Sequence, residues 1–405
     1  MKFFSNRVAN AALFLLTSSA VFAQHYTQTN LQASTSGVAE QTDNQLVNSW
    51  GLARASGGVW WVADEATGLA TLYNGPGDKQ SLVVTIPKSN PSDPTFPTGT
   101  PTGVIPNSST TDFLIVPNKP AAFIFATLDG TIAAWNPTIG LAPGATPPST
   151  NAVTVVRTKD GSGYTALTTA FVDGNRYLYA ANFLKGRIDV YDNAFGPIKL
   201  KGEDRGRDEH YFDDDRLSGD EKPFTDERLP RNFVPFNVQA IGNDLVVTYA
   251  MHIAGNPFET PGPGLGYVDI YSSKGKLLRR LEHGDWLNAP WGVTLAPLDF
   301  GRFSHCLLVS NFAAGGTTQS AGFISAYDLD TGKFAGLLED ASGKPISING
   351  IWSMSFANAA TVNSYDPDEA PAAELYFTAG PSAATQGLFG YLTPVATELI
   401  QGNSQ

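Results

Sequence analysis

WWVADEATGLATLY, from Trp60 to Tyr73, is a phrase that this chain repeats six times. Its second half, GLATLY (Gly68 to Tyr73), returns as GTIAAW (Gly130 to Trp135), GRIDVY (Gly186 to Tyr191), GYVDIY (Gly266 to Tyr271) and GFISAY (Gly322 to Tyr327). A less regular copy is GLFGYL (Gly387 to Leu392). Its first half, WWVAD, returns as FIFAT from Phe123, LYAAN from Leu178, VVTYA from Val246, LLVSN from Leu307 and LYFTA from Leu375. These first halves lie roughly 55 to 70 residues apart, and self-similarity at such spacing decides architecture before any single motif does.

Each half alternates at period two, so each reads as a strand with a buried face. The Gly marks a tight connection between them, where a Cβ would be costly. The aromatic that ends the phrase can pack on the next unit, and turn residues follow it, as in NGPG after Tyr73 and DLDTGK after Tyr327. A further strand precedes each phrase: SWGLA from Ser49, PTGVI from Pro101, YTALTTAFV from Tyr164, PFNVQAI from Pro235, PWGVTLA from Pro290 and IWSMSF from Ile351. A fourth follows some turns, as in KLLRRL from Lys276 and FAGLLE from Phe334. Four antiparallel strands repeated six times describe an all-β, six-bladed β-propeller. The last unit has little after Leu392, whereas YTQTNLQA (Tyr26 to Ala33) is strand-like and precedes the first repeat. That N-terminal strand is expected to close the ring as the outer strand of the last blade, which removes an exposed edge.

Residues 1–23 read as a signal peptide: Lys2 and Arg7, an apolar run, then Val21-Phe22-Ala23 before Gln24. Residues 24–405 would then be one propeller domain, exported, with cleavage after Ala23 leaving 24 basic against 38 acidic residues, a net charge of −14. An acidic exported chain is a poor candidate for nucleic acid, and no later run is apolar enough to span a bilayer. A monomer acting on an unidentified small-molecule or protein ligand is the expectation. The stretch from Lys201 to Lys222 holds nine acids and five bases in 22 residues. It reads as a solvated excursion; the alternative, a calcium loop around Asp213, Asp214, Asp215 and Asp220, lacks EF-hand spacing. Cys306, the only cysteine, sits in HCLLVSN and reads as a buried small hydrophobe within a strand.

In a propeller, polar residues at strand ends around one mouth of the central channel form a natural ligand site. The first half-phrases end in Asp64, Asn182 and Asn311, with His252 close to the corresponding point of the fourth unit. Asp64, Asn182 and Asn311 form a candidate metal set, whose oxygen-rich donors suit Ca²⁺, and His252 is the candidate general base. The alternative for each is a local turn hydrogen bond to the backbone. Trp50, Trp291 and Trp352 each start an inner strand. With Asn182 and Asn311 they make a candidate ligand-binding rim, or else they pack between blades. No nucleophile elbow, P-loop, His-rich zinc spacing or dinucleotide fingerprint is present.

The pieces NQLVNSWGLA (Asn44 to Ala53), WWVADEATGLATLYNG (Trp60 to Gly75), FIFATLDGTIAAWNP (Phe123 to Pro137), LYAANFLKGRIDVYD (Leu178 to Asp192), APWGVTLAP (Ala289 to Pro297) and GLFGYLTP (Gly387 to Pro394) resemble a family of uncharacterised secreted bacterial propellers. Some members of that family end in a C-terminal sorting anchor. This chain departs from them in its C-terminus, which has no apolar run with a basic tail, and in its charged insertion. The family is more distantly similar to NHL-type and gluconolactonase-like six-bladed propellers, some of which are metal-dependent lactonases or lyases. The resemblance implies the fold and export. For function it leaves two readings: a binding or scaffold module with a polar and aromatic rim, or a metal-dependent lactonase-like hydrolase or lyase with an ion in the channel.

Overall fold

A computed structural model describes residues 24–92, 98–200, 222–312, 322–356 and 374–395. The expected signal at 1–23 and the charged stretch 201–221, with its calcium-loop alternative, lie outside the described residues. Six antiparallel sheets follow one another along the chain. Blade 1 contains strands Ser49–Arg54, Trp60–Asp64, Leu69–Tyr73 and Val84–Thr85, in that spatial order. Blade 2 has Pro101–Pro106, Phe123–Thr127, Thr131–Trp135 and Val153–Arg157, and blade 3 has Tyr164–Val172, Asn175–Asn182, Arg187–Tyr191 and Pro197–Ile198. Blade 4 has Phe233–Ile241, Asp244–His252, Gly266–Tyr271 and Leu277–Arg280, with Glu259–Thr260 added beside the second strand. Blade 5 has Pro290–Leu295, Leu307–Asn311, Ile324–Tyr327 and Phe334–Leu337. Blade 6 has Ile351–Phe356, Leu375–Ala379 and Leu388–Pro394, and its fourth strand is Tyr26–Ala33 from the other end of the chain, with the two-residue strand Gln41–Thr42 paired parallel along its outer side. The ring closes as the repeat pattern requires: Tyr26–Ala33 runs antiparallel to Leu388–Pro394, from Tyr26 opposite Pro394 to Ala33 opposite Leu388. No helix among the described residues is long and apolar enough to cross a membrane.

The repeated letters have repeated jobs. Gly68, Gly130, Gly186 and Gly322 take left-handed φ at the turn between the second and third strands. The phrase-ending aromatics Tyr73, Trp135, Tyr191, Tyr271 and Tyr327 are all buried, with their polar tips satisfied. Tyr73 donates to Asp43 Oδ2 at 2.7 Å, Tyr191 pairs with the Tyr164 hydroxyl at 2.6 Å, and Trp135 donates to the Ser149 carbonyl at 2.8 Å. Buried Tyr and Trp rings usually find such a partner for their polar tip.

Around the axis the first strands of successive blades pack side by side. Short polar side chains from first or second strands stitch five of the six blades to the next. Thr102 donates to the Tyr164 carbonyl, Thr165 to Phe236, Asn237 to Trp291, Ser310 to Trp352 and Thr378 to Trp50, at 2.5 to 2.8 Å. Between blades 1 and 2 the backbones come closer still: a Cβ on Gly51 would lie 2.3 Å from the Thr102 carbonyl oxygen. That contact explains why Trp50 is followed by Gly.

Candidate functional site

Inner-strand side chains that point at the axis meet one another there. Trp50 stacks on Trp352 with centroids 3.7 Å apart, and Phe312 stacks on the other side of Trp352 at 3.5 Å. Trp291 stands edge-on to both at 6.2 and 6.0 Å, and Phe236 completes the group. All five rings are 1–5 % exposed. The three tryptophans therefore fill the channel instead of ringing an open mouth. The physical reason is that a narrow six-fold axis brings facing indoles within van der Waals reach, and stacking removes more apolar area than standing in water.

The strand-end polar residues each bond to separate partners. Asp64 is fully buried, and its Oδ2 accepts from the Thr71 N–H at 3.2 Å and the Thr71 hydroxyl at 2.7 Å. Burial pushes its carboxyl well above the ordinary range, and Oδ1 has no described partner. Asn182 accepts from the Gly163 N–H and donates to Ser162 Oγ and Asp189 Oδ2. Asn311 accepts from the Asn288 N–H and donates to the Phe323 carbonyl and Ser325 Oγ. Asn182 and Asn311 hold their blades to the linkers that lead into them, whereas Asp64 bonds the next strand of its own blade at Thr71, so none of the three makes a local turn bond to its immediate neighbours. His252 is half-buried, its Nε2 lies 2.7 Å from the Asn256 carbonyl oxygen, and its ring packs on Phe183 at 4.8 Å. Among the described residues no three of His, Cys, Asp and Glu are grouped so as to hold a metal ion. A Ca²⁺ set of Asp64, Asn182 and Asn311 does not fit this arrangement, because Asn182 and Asn311 already spend their side-chain oxygens on the Gly163 and Asn288 N–H groups and only Asp64 Oδ1 is left without a described partner. Cys306 stands one residue ahead of its strand, half-buried, with its thiol pushed up by burial.

What the molecule does offer is a cleft of about 340 Å³ at the mouth where the turns between second and third strands gather. Four blades contribute: Glu65, Leu128 and Asp129, Leu184, then Pro257 and Phe258, with the linker residues Lys88 to Asn90, Thr98 and Thr100 as its remaining wall. Its lining is largely apolar around a few polar groups, the usual make-up of a small-molecule site. Asp129 anchors the linker, accepting from the Ser89 N–H at 2.8 Å. Glu65 accepts from Asn48 Nδ2 at 2.9 Å, and Asn48 Oδ1 accepts from Trp352 Nε1 at 2.9 Å. A hydrogen-bonded chain thus runs from the cleft carboxylate to the channel plug. Burial raises the Glu65 carboxyl, which the Asn48 bond only partly offsets. Glu65 and Asp129 are not among the strand-end residues that the repeat pattern singles out. Their signal was an acid one or two residues past a strand end, in VADE and FATLD.

No family model matches the chain. It is 26% identical over 353 residues to an uncharacterised protein of Acanthamoeba polyphaga mimivirus, covering 87% of this chain and 76% of that one. Among solved structures it is similar to virginiamycin B lyase from Staphylococcus aureus, at 10% identity over 92% of this chain and 100% of that one, with a TM-score of 0.44. It is likewise similar to a gluconolactonase of Xanthomonas campestris, at 11% identity over 87% of each chain, with a TM-score of 0.44.

Proposed function

We propose that this chain is an exported binding propeller that takes a small ligand in the cleft at the channel mouth. The observation that carries this reading is the contrast between channel and cleft. Stacked indoles occupy the axis, whereas four blades leave about 340 Å³ open above it. Binding is favoured over catalysis because Asn182 and Asn311 already use the side-chain oxygens that a lactonase-type ion would need, Thr71 holds Asp64 Oδ2, and the one candidate base, His252, lies against a backbone carbonyl. Export rests on the sequence of residues 1–23. It is compatible with ring closure, since Gln24 lies beside Val395, just outside the closing strand.

The test is a thermal-shift screen of small ligands on wild type and on Leu184→Arg, which fills the cleft. Hits are expected to stabilise only the wild type, by a few degrees at saturating ligand. Neither calcium nor a chelator should move the melting temperature. Turnover of a lactone that stops on adding chelator and is lost in Asp64→Asn would overturn the reading in favour of a metal-dependent hydrolase. N-terminal sequencing of the exported protein should begin at Gln24.

A further inference from the structure

The two carboxylates of the cleft are not equivalent. Asp129 is engaged through both oxygens: Oδ2 by the Ser89 N–H, Oδ1 by the Thr127 hydroxyl at 2.5 Å. Among the described residues, Glu65 gives only Oε2, to Asn48 Nδ2. Its Oε1 accepts no hydrogen bond from any described residue, yet it is not shut away from solvent. Lys88 shares the cleft but is already engaged, and the surroundings of the Glu65 carboxyl act on it through burial first and Asn48 second. Next to this half-used carboxylate stand Leu128, Leu184 and Phe258, the last 61% exposed at the lip.

We propose that the cleft selects a small organic cation, a primary amine on an apolar body, with the ammonium on Glu65 Oε1 and the body against Leu128, Leu184 and Phe258. The proposal rests on the cleft being the ligand site and names the class of ligand it takes. A neutral hydrocarbon would desolvate Oε1 and leave it unpaired. An anion would meet a carboxylate of its own sign. An ammonium makes a charge-assisted hydrogen bond to Oε1, and the exposed Phe258 ring adds an attractive face for positive charge. Volume agrees, since about 340 Å³ holds a single ring with a short side arm. Because Asn48 bonds both Glu65 and Trp352, occupancy should also change the indole fluorescence.

Benzylamine, benzyl alcohol and benzoate are titrated calorimetrically into the full chain, into Glu65→Gln and into Leu184→Arg. Gln keeps the acceptor for Asn48, so Glu65→Gln should fold with an unchanged melting temperature. The expected result is benzylamine at least ~10-fold tighter than benzyl alcohol, benzoate undetected, and the amine preference lost in Glu65→Gln, as befits one charged hydrogen bond. An amine preference that survives Glu65→Gln, or no benzylamine binding, overturns the proposal. Equal binding of amine and alcohol that Leu184→Arg abolishes removes the cation class but leaves the cleft as the site. Binding that ignores Leu184→Arg removes both.

Discussion

Glu259 lies opposite His252 in the short strand pairing that borders the cleft-side loop of blade 4, and its chemistry is set by where it sits. Burial lifts its carboxyl from 4.5 to about 7. The folded state therefore holds this proton more tightly than the unfolded chain does. Its contribution to stability is whole below about pH 4.5 and is lost as pH rises through about 7. The full shift corresponds to roughly 3 kcal/mol. Glu259 is only half-buried by exposed area, so screening reduces this to about 1–2 kcal/mol. Urea unfolding from about pH 5 to about pH 8 should show wild-type stability falling by that amount, with a flatter profile and higher stability at the alkaline end for Glu259→Gln. Parallel profiles for the two proteins would show that Glu259 does not carry the effect.

At the scale of elements, the strand Tyr26–Ala33 decides whether the ring is a ring. It brings an edge of hydrogen bonds to blade 6 and four buried residues, Tyr26, Leu31, Gln32 and Ala33, with Tyr26 at 1% exposure the largest of them. Tyr26 lies on Phe300 at 4.7 Å and donates to the Phe300 carbonyl at 2.8 Å, so it ties the closing strand to blade 5 as well. Tyr26→Phe should cost only the hydrogen bond, about 1 kcal/mol. Tyr26→Ala should cost roughly 3–5 kcal/mol from the cavity it opens. Denaturant midpoints of the two variants measure this, and an alanine variant as stable as the phenylalanine one would mean that the closing strand is not what holds blades 5 and 6 together.

Across the whole molecule, blades 1, 4, 5 and 6 are joined at the axis by one aromatic group. Trp352 is its centre, sandwiched between Trp50 and Phe312. Trp352→Ala should destabilise by roughly 3–5 kcal/mol and remove most of the near-ultraviolet dichroism of the stacked indoles. The same variant separates two roles for these residues. Lost stability identifies a plug that holds the blades, whereas wild-type stability with abolished ligand binding would make the indoles ligand contacts.

The repeated phrase determined the blade number and the strand order, and the strand-like stretch Tyr26–Ala33 ahead of it the closing strand, because period-two burial acts over a few residues and recurs in each copy, with the glycine left-handed in four of the six. It also singled out Trp50, Trp291 and Trp352 as inner-strand residues. What those indoles face was not local information. Only closure of six blades on a narrow axis brings residues 302 positions apart, Trp50 and Trp352, into a 3.7 Å stack and so turns a rim into a plug. Asp64 and Glu65 show the same division at neighbouring positions. The alternation of WWVAD turns Asp64 back onto Thr71 in its own blade. Glu65, one residue further, leaves the strand and joins a cleft whose other walls come from residues as distant as Phe258. Strand periodicity reaches as far as the strand does, and the cleft exists only where the turns of separate blades are brought together by the ring.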